Sequence, residues 1–158
     1  MKIALGSDHC GYEMKMALTP IFERLGCVIT DFGCISTEPV DFPDIARKVC
    51  DAVRNGNQER GIMFCGTGVG AAIAANKIPG IRASVCHDIH SAHQCVEHDD
   101  VNVMCIGAQI VGPWLAEDLI RSFVEAKFST EEHFRRRVRK LETLELESAK
   151  ELQNRLYR

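Results

Sequence analysis

No stretch of this 158-residue chain approaches the ~20 apolar residues that a membrane-spanning helix needs, so no membrane span is expected. Neither sign of charge dominates. Lys and Arg number 19 against 22 Asp and Glu, for a net charge of −3, which is not the balance of a polyelectrolyte-binding protein. The eight cysteines (10, 27, 34, 50, 65, 86, 95 and 105) show no CxxC spacing. MKIALGSDH enters a strand pattern at once and reads as carrying no signal peptide. Most of the cysteines therefore read as small buried hydrophobes in a reducing, cytoplasmic setting rather than as a disulfide framework. There is no internal repeat and no low-complexity linker. The length predicts one domain over residues 1–158, large enough for a genuine core.

What the chain does contain is a glycine-rich junction. Residues 61–65 read as a short buried strand that runs into Gly66-Thr67-Gly68-Val69-Gly70 and then an Ala-rich helix. A strand that turns through glycines into a helix aims several free backbone N–H groups at one spot, at the positive end of the helix dipole. The loop matches neither the Walker pattern nor GxGxxG. It suits a phosphate or the oxyanion of a reaction intermediate. Cys65 stands at the strand's exit, where a helix N-terminus is expected to lower the thiol's pKa, and Thr67 supplies a hydroxyl two residues on.

Taken in order, residues 2–7, 27–33, 61–65, 82–86 and 102–106 read as strands. Residues 12–25, 45–54, 71–77, 87–97 and 114–126 read as helices between and after them. This alternation predicts an α/β fold with a five-stranded parallel sheet covered on both faces. Ligands of such sheets sit at the carboxyl ends of the strands, which here would collect Asp8, His9, Cys65, Gly66, Thr67, the start of the 87–98 helix and the 107–109 loop. From Thr130 the composition shifts to a long, highly charged helix with apolar residues at 134, 138, 141, 144, 152 and 156. This C-terminal extension, over 130–158, is expected to dock on its own domain or on a second subunit.

Two further clusters carry weight. Residues 86–100 hold four histidines and two cysteines, but on a helix His93 points away from His87 and His90. His98 lies about 16 Å along the axis from His87, so no single metal cluster is expected. His98, at the helix end, is instead a candidate acid/base. The basic run from Arg135 to Lys140 is balanced by Glu131, Glu132, Glu142, Glu145 and Glu147 and reads as a solvated face rather than a nucleic-acid patch. One or two of its arginines suit an anionic substrate.

Ser7-Asp8-His9-x-Gly11, Val40-Asp41-Phe42-Pro43-Asp44, Cys65 to Gly70, Ala74-Ala75-Asn76-Lys77, Pro79-Gly80-Ile81-Arg82-Ala83 and His98-x-Asp100 with Asn102 together resemble the ribose-5-phosphate isomerase B / galactose-6-phosphate isomerase family, over about residues 1–145. The resemblance implies a Rossmann-like three-layer αβα sandwich and a dimer or tetramer with active sites shared between subunits. It also implies cofactor-free and metal-free aldose–ketose isomerisation through a cis-enediolate. In that scheme Cys65 is the carbon base and the amides of Gly66, Gly68, Val69 and Gly70 hold the enediolate. Thr67, Asp8 and His98 manage oxygen protons and ring opening, with His98 donated by the partner. His9 and Arg137 are candidate phosphate contacts.

The chain also departs from that pattern. Asp99 stands where the family has Asn, Gln109 where it has Arg, and His133 where the first arginine of a C-terminal pair falls, with Arg135 or Arg136 as substitutes. Cations lost and a carboxylate gained disfavour a dianion, so a shifted substrate is expected. An unphosphorylated sugar, or a non-catalytic sugar- or anion-binding protein of the same fold, are the alternatives.

Overall fold

The structure, a computed structural model, describes residues 1–156. Five strands, β1 (Lys2–Ser7), β2 (Val28–Asp31), β3 (Arg60–Cys65), β4 (Ala83–Val85) and β5 (Val103–Gly107), form one parallel sheet in the order β2-β1-β3-β5-β4. Six helices accompany them: α1 (Tyr12–Arg24), α2 (Phe42–Arg54), α3 (Val69–Ala75), α4 (Ile89–Asp99), α5 (Pro113–Glu125) and α6 (Glu132–Leu156). The expected three-layer sandwich is present. The reading of a helix up to residue 158 runs past the described residues by two.

Side chains alternate across the pleat and build two cores. Ile3, Leu5, Ile62, Phe64, Met104 and Ile106 face α1, α4 and α5. Ala4, Met63, Cys65, Val103 and Cys105 face α2 and α3. The second face is lined with small residues because α2 lies close: a methyl on Gly6 would come within 2.6 Å of Val49. Helix α2 begins at Phe42, three residues before the expected start, because Pro43 in the first turn lacks only an N–H that would find no helical partner there.

A charged residue inside the first core was not anticipated. Lys15 on α1 has no exposed surface. Its Nζ donates to Asp31 Oδ2 (2.6 Å), to the Cys34 carbonyl (2.8 Å) and to the Gly33 carbonyl. A buried ammonium is tolerated when its three donors are met, and here they bind the chain leaving β2. At the opposite end of the sheet, Arg60 donates to the Phe123 and Ala126 carbonyls and closes the end of α5. Burial lowers its pKa.

Of the long α6 helix, Val138 is the buried residue, and the first turns pack on α4. Leu141, Leu144, Leu152 and Leu156 remain exposed. No helix among the described residues is long and apolar enough to cross a membrane.

Candidate active site

The glycine loop sits at the carboxyl end of β3, in the middle of the sheet. Gly68 adopts φ +78°, and a methyl there would meet the Gly107 nitrogen at 3.3 Å. Both the left-handed backbone and the close approach to β5 therefore require glycine. The loop after β5 clasps the cradle from above. Ala108 N–H donates to the Cys65 carbonyl (2.8 Å) and Gln109 N–H to the Gly66 carbonyl (3.0 Å). The Gln109 carboxamide lies over Gly66, with Oε1 3.1 Å from where a methyl would stand. Exposed Thr67 accepts from Val69 N–H through Oγ1 (3.3 Å), which orients its hydroxyl. Gly66, Val69 and Gly70 complete the loop, and the Phe42 ring packs against Gly70.

The loop after β1 is drawn to the same place. Asp8 N–H donates to the Phe64 carbonyl (3.1 Å), and a side chain on Gly11 would overlap that carbonyl. Asp8, only 5% exposed, accepts from Gly11 N–H at Oδ1 (3.0 Å). His9 accepts from Val40 N–H at Nδ1 (3.3 Å), so the neutral ring carries its proton on Nε2, where it donates. Val40 belongs to the segment that Lys15 ties down, so that buried cation reaches the site indirectly.

Cys65 is 8% exposed and packs among small residues of the second core. Its thiol is near enough to the Asp8 carboxylate and to the backbone N–H groups of Gly68 and Ala71 for each to shift its pKa. The direction of its pKa shift is opposite to the one expected from the helix N-terminus. Burial raises it first, and the Asp8 carboxylate raises it further. The Gly68 and Ala71 amides pull it down, but by less. The resting group is a thiol with a carboxylate beside it, not a preformed thiolate.

His98, Asp99, His133 and Arg137 are elsewhere. His98 ends α4 just before β5 begins, whereas Cys65 is level with Gly107 at the far end of β5. Along the strand direction alone that is about 13 Å. His98 stacks on Phe134, with ring centroids 3.9 Å apart and planes at 17°. His133 meets the same ring at 3.9 Å, and the Arg137 guanidinium lies 5.6 Å from it. Phe134, seen in the sequence only as part of an apolar stripe, thus organises this second group. Arg135 instead lies over Phe128, at 4.9 Å. Asp99 is exposed beside His98, and its carbonyl accepts from Arg82 Nε (3.1 Å).

The other polar residues of this region set the turn that carries His98. Arg82 binds Asp100 Oδ2 at 2.6 Å, while Asp100 takes φ +50°. Asn102 bridges Arg82 N–H and the Gly80 carbonyl, and Asn76 pairs both ways with Ala83. The histidines of 86–100 have separate tasks. His93 meets Glu97, and His87 accepts the Gly107 N–H at Nε2 (3.0 Å), directly behind the cradle. That role of His87 has no sequence signal beyond its position after a strand.

Fold and site together define a parallel α/β protein with a thiol, a carboxylate and an amide cradle gathered at the strand ends, where such sheets bind their ligands. The ribose/galactose isomerase family profile matches residues 3–141. The chain is 44% identical over 129 residues to a ribose-5-P isomerase B of Listeria innocua, covering 82% of this chain and 87% of that one. It is 36% identical over 129 residues to a D-erythrulose-4-phosphate isomerase of Pectobacterium atrosepticum, covering 81% and 85%. A ribose-5-phosphate isomerase B structure from Clostridium thermocellum superposes with TM-score 0.90 at 41% identity, covering 94% of this chain and 99% of that one. The chain belongs to the ribose/galactose isomerase family and is an aldose–ketose isomerase.

Proposed function

We propose that the protein isomerises a short-chain aldose phosphate, ribose 5-phosphate or a relative of it, through a cis-enediolate with Cys65 as the base at carbon. The observation that carries this reading is the Cys65 thiol at the carboxyl end of β3, beside the Asp8 carboxylate and the Gly68 and Ala71 amides. As substrate enters, Asp8 takes the thiol proton and the thiolate removes the hydrogen from C2. Negative charge then moves to the two substrate oxygens, where the loop amides and the Thr67 hydroxyl donate to it. The same sulfur returns the proton to C1. No net oxidant or cofactor is consumed.

Ring opening needs an acid/base that one protomer does not bring to the cleft. We assign it to His98 of a second copy, with His133 and Arg137 beside it meeting the far end of the sugar. Each group is incomplete without the other. The exposed apolar residues Val69, Ile73, Ile110 and Trp114 around the cradle suit burial against such a copy. The helix over 130–158 belongs to that contact in this reading.

Gln109 and His133, which stand where the family pattern has arginines, and the gained carboxylate of Asp99 support a shift of substrate within the class. A charge-assisted contact to phosphate contributes ~1.5–3 kcal/mol, so two missing cations weaken a dianion by roughly two to four powers of ten. An unphosphorylated sugar is the second reading, favoured by the neutral Gln109 carboxamide over Gly66. The test is a screen of tetroses, pentoses and hexoses, each with and without phosphate, run in D2O for the wild type and Cys65→Ala. Deuterium entering the substrate carbon with wild type only is the expected result. Exchange that survives in Cys65→Ala overturns the cysteine mechanism. Binding without exchange in either protein makes this a sensor.

A further inference from the structure

Cys10 has no part in the scheme above, yet it belongs with Asp8 and His9 to a group of donors at the lip of the cleft. Asp8, His9 and Cys10 are consecutive, yet the tight turn into Gly11 converges their side chains. One ligand atom from each, an oxygen, a nitrogen and a sulfur, lies within 4.8 Å of the other two. Cys10 is the exposed cysteine of the eight, and the remaining seven are buried. Its Cβ is 3.6 Å from where a methyl on Gly66 would stand, so it overhangs the cradle. The motif around it leaves position 10 open, which makes this thiol a feature of the chain rather than of the isomerase apparatus.

We propose that Asp8, His9 and Cys10 form a binding site for a zinc-class divalent cation, and that its occupation closes the substrate cleft. The donor set is the one Zn2+ selects: a thiolate, an imidazole and a carboxylate. Bonds of about 2.0–2.3 Å in a tetrahedron place ligand atoms roughly 3.3–3.8 Å apart, so side-chain rotations of about 1 Å complete the site. Cys10 releases its proton to solvent on binding, since the thiolate is the ligand. The free lone pair of His9 is on Nδ1. The metal takes it in exchange for the long Val40 N–H contact of 3.3 Å. The fourth position faces the cleft and holds water.

The inhibitory consequence rests on the isomerase reading, whereas the metal site does not. Asp8 bound to a cation no longer accepts the Cys65 proton, and the ion occupies the entry to the cradle. A transition metal is thereby a reversible blocker of a reaction that does not use one.

The experiment titrates full-length protein, freed of metal, with Co2+ and with Zn2+. The expected results are one ion per chain, a thiolate-to-Co2+ charge-transfer absorption, and loss of isomerase turnover that chelator restores. Cys10→Ser, a change at an exposed side chain, leaves basal turnover unchanged. It abolishes the band and raises the half-inhibiting Zn2+ concentration by at least about tenfold. Cys65→Ala keeps the band. Equal Zn2+ sensitivity in wild type and Cys10→Ser, or a band that survives in Cys10→Ser and vanishes in Cys65→Ala, overturns the proposal. Because the absorption needs no turnover, a protein inactive on every sugar but showing the Cys10-dependent band separates failure of the isomerase reading from failure of the metal site.

Discussion

The two halves of the candidate site are built on different physics. At the carboxyl edge of the sheet, the cradle side is mostly backbone: glycines, strand ends and loop amides, with buried Asp8 and Cys65 set by core packing. At the end of α4, the other side is all side chain, with His98, His133 and Arg137 gathered on the half-exposed ring of Phe134. The first is rigid because moving it means unpacking the sheet. The second rests on ring stacking worth about 0.5–1.5 kcal/mol. Preorganised charge stabilisation belongs on the first, and a group that must reach a neighbour belongs on the second.

The largest effect expected is at the cradle. Cys65→Ala removes the proposed carbon base and should lower kcat by about 10²–10⁴-fold, with binding of a substrate analogue retained. His98→Asn should also be inactive. An equimolar mixture of it with Cys65→Ala, refolded together, should recover about a quarter of wild-type turnover, since half the dimers are mixed and each carries one intact site. Turnover by neither the variants nor their mixture would place both halves in one protomer and break the comparison.

Asp8→Asn sharpens the account of the thiol. The carboxylate holds the Cys65 pKa up, so removing its charge lowers it, although burial still raises it. With no carboxylate to take the thiol proton, any residual activity should need the preformed thiolate and rise with pH through the thiol's lowered pKa, read from kcat/KM against pH. Gln109→Arg should lower KM for phosphorylated sugars by about tenfold and leave free sugars unchanged. Lys15→Met should leave two carbonyls near Cys34 unpaired and cost about 2 kcal/mol, read by denaturant unfolding, with a rise in KM through the slackened Val40–His9 contact.

The smallest effect is a pH dependence of stability. Burial pushes Cys50 up to about 12 and raises Cys105 as well. Above the ordinary thiol value near ~8.5 the unfolded chain loses protons that the folded chain keeps, so stability falls as pH rises. Each such group contributes a slope of about 1.4 kcal/mol per pH unit, and Cys50→Ala should flatten the decline measured by Tm between about pH 8.5 and 10.

The alternation of short apolar segments with amphipathic ones made the sheet, its covering layers and the position of the glycine junction legible in the chain. Those features follow from local periodicity and turn chemistry, which neighbouring residues set among themselves. The placing of Cys65, Thr67 and Asp8 at the carboxyl ends of their strands was legible in the same way. Three things required the folded molecule: the raised rather than lowered thiol pKa, the buried Lys15, and the separation of His98 from Cys65. Each depends on what lies across the sheet or along a strand from the residue in question. Burial, the nearness of a carboxylate and the end of the sheet a helix reaches arise from packing between segments distant in the chain, and no local pattern encodes them.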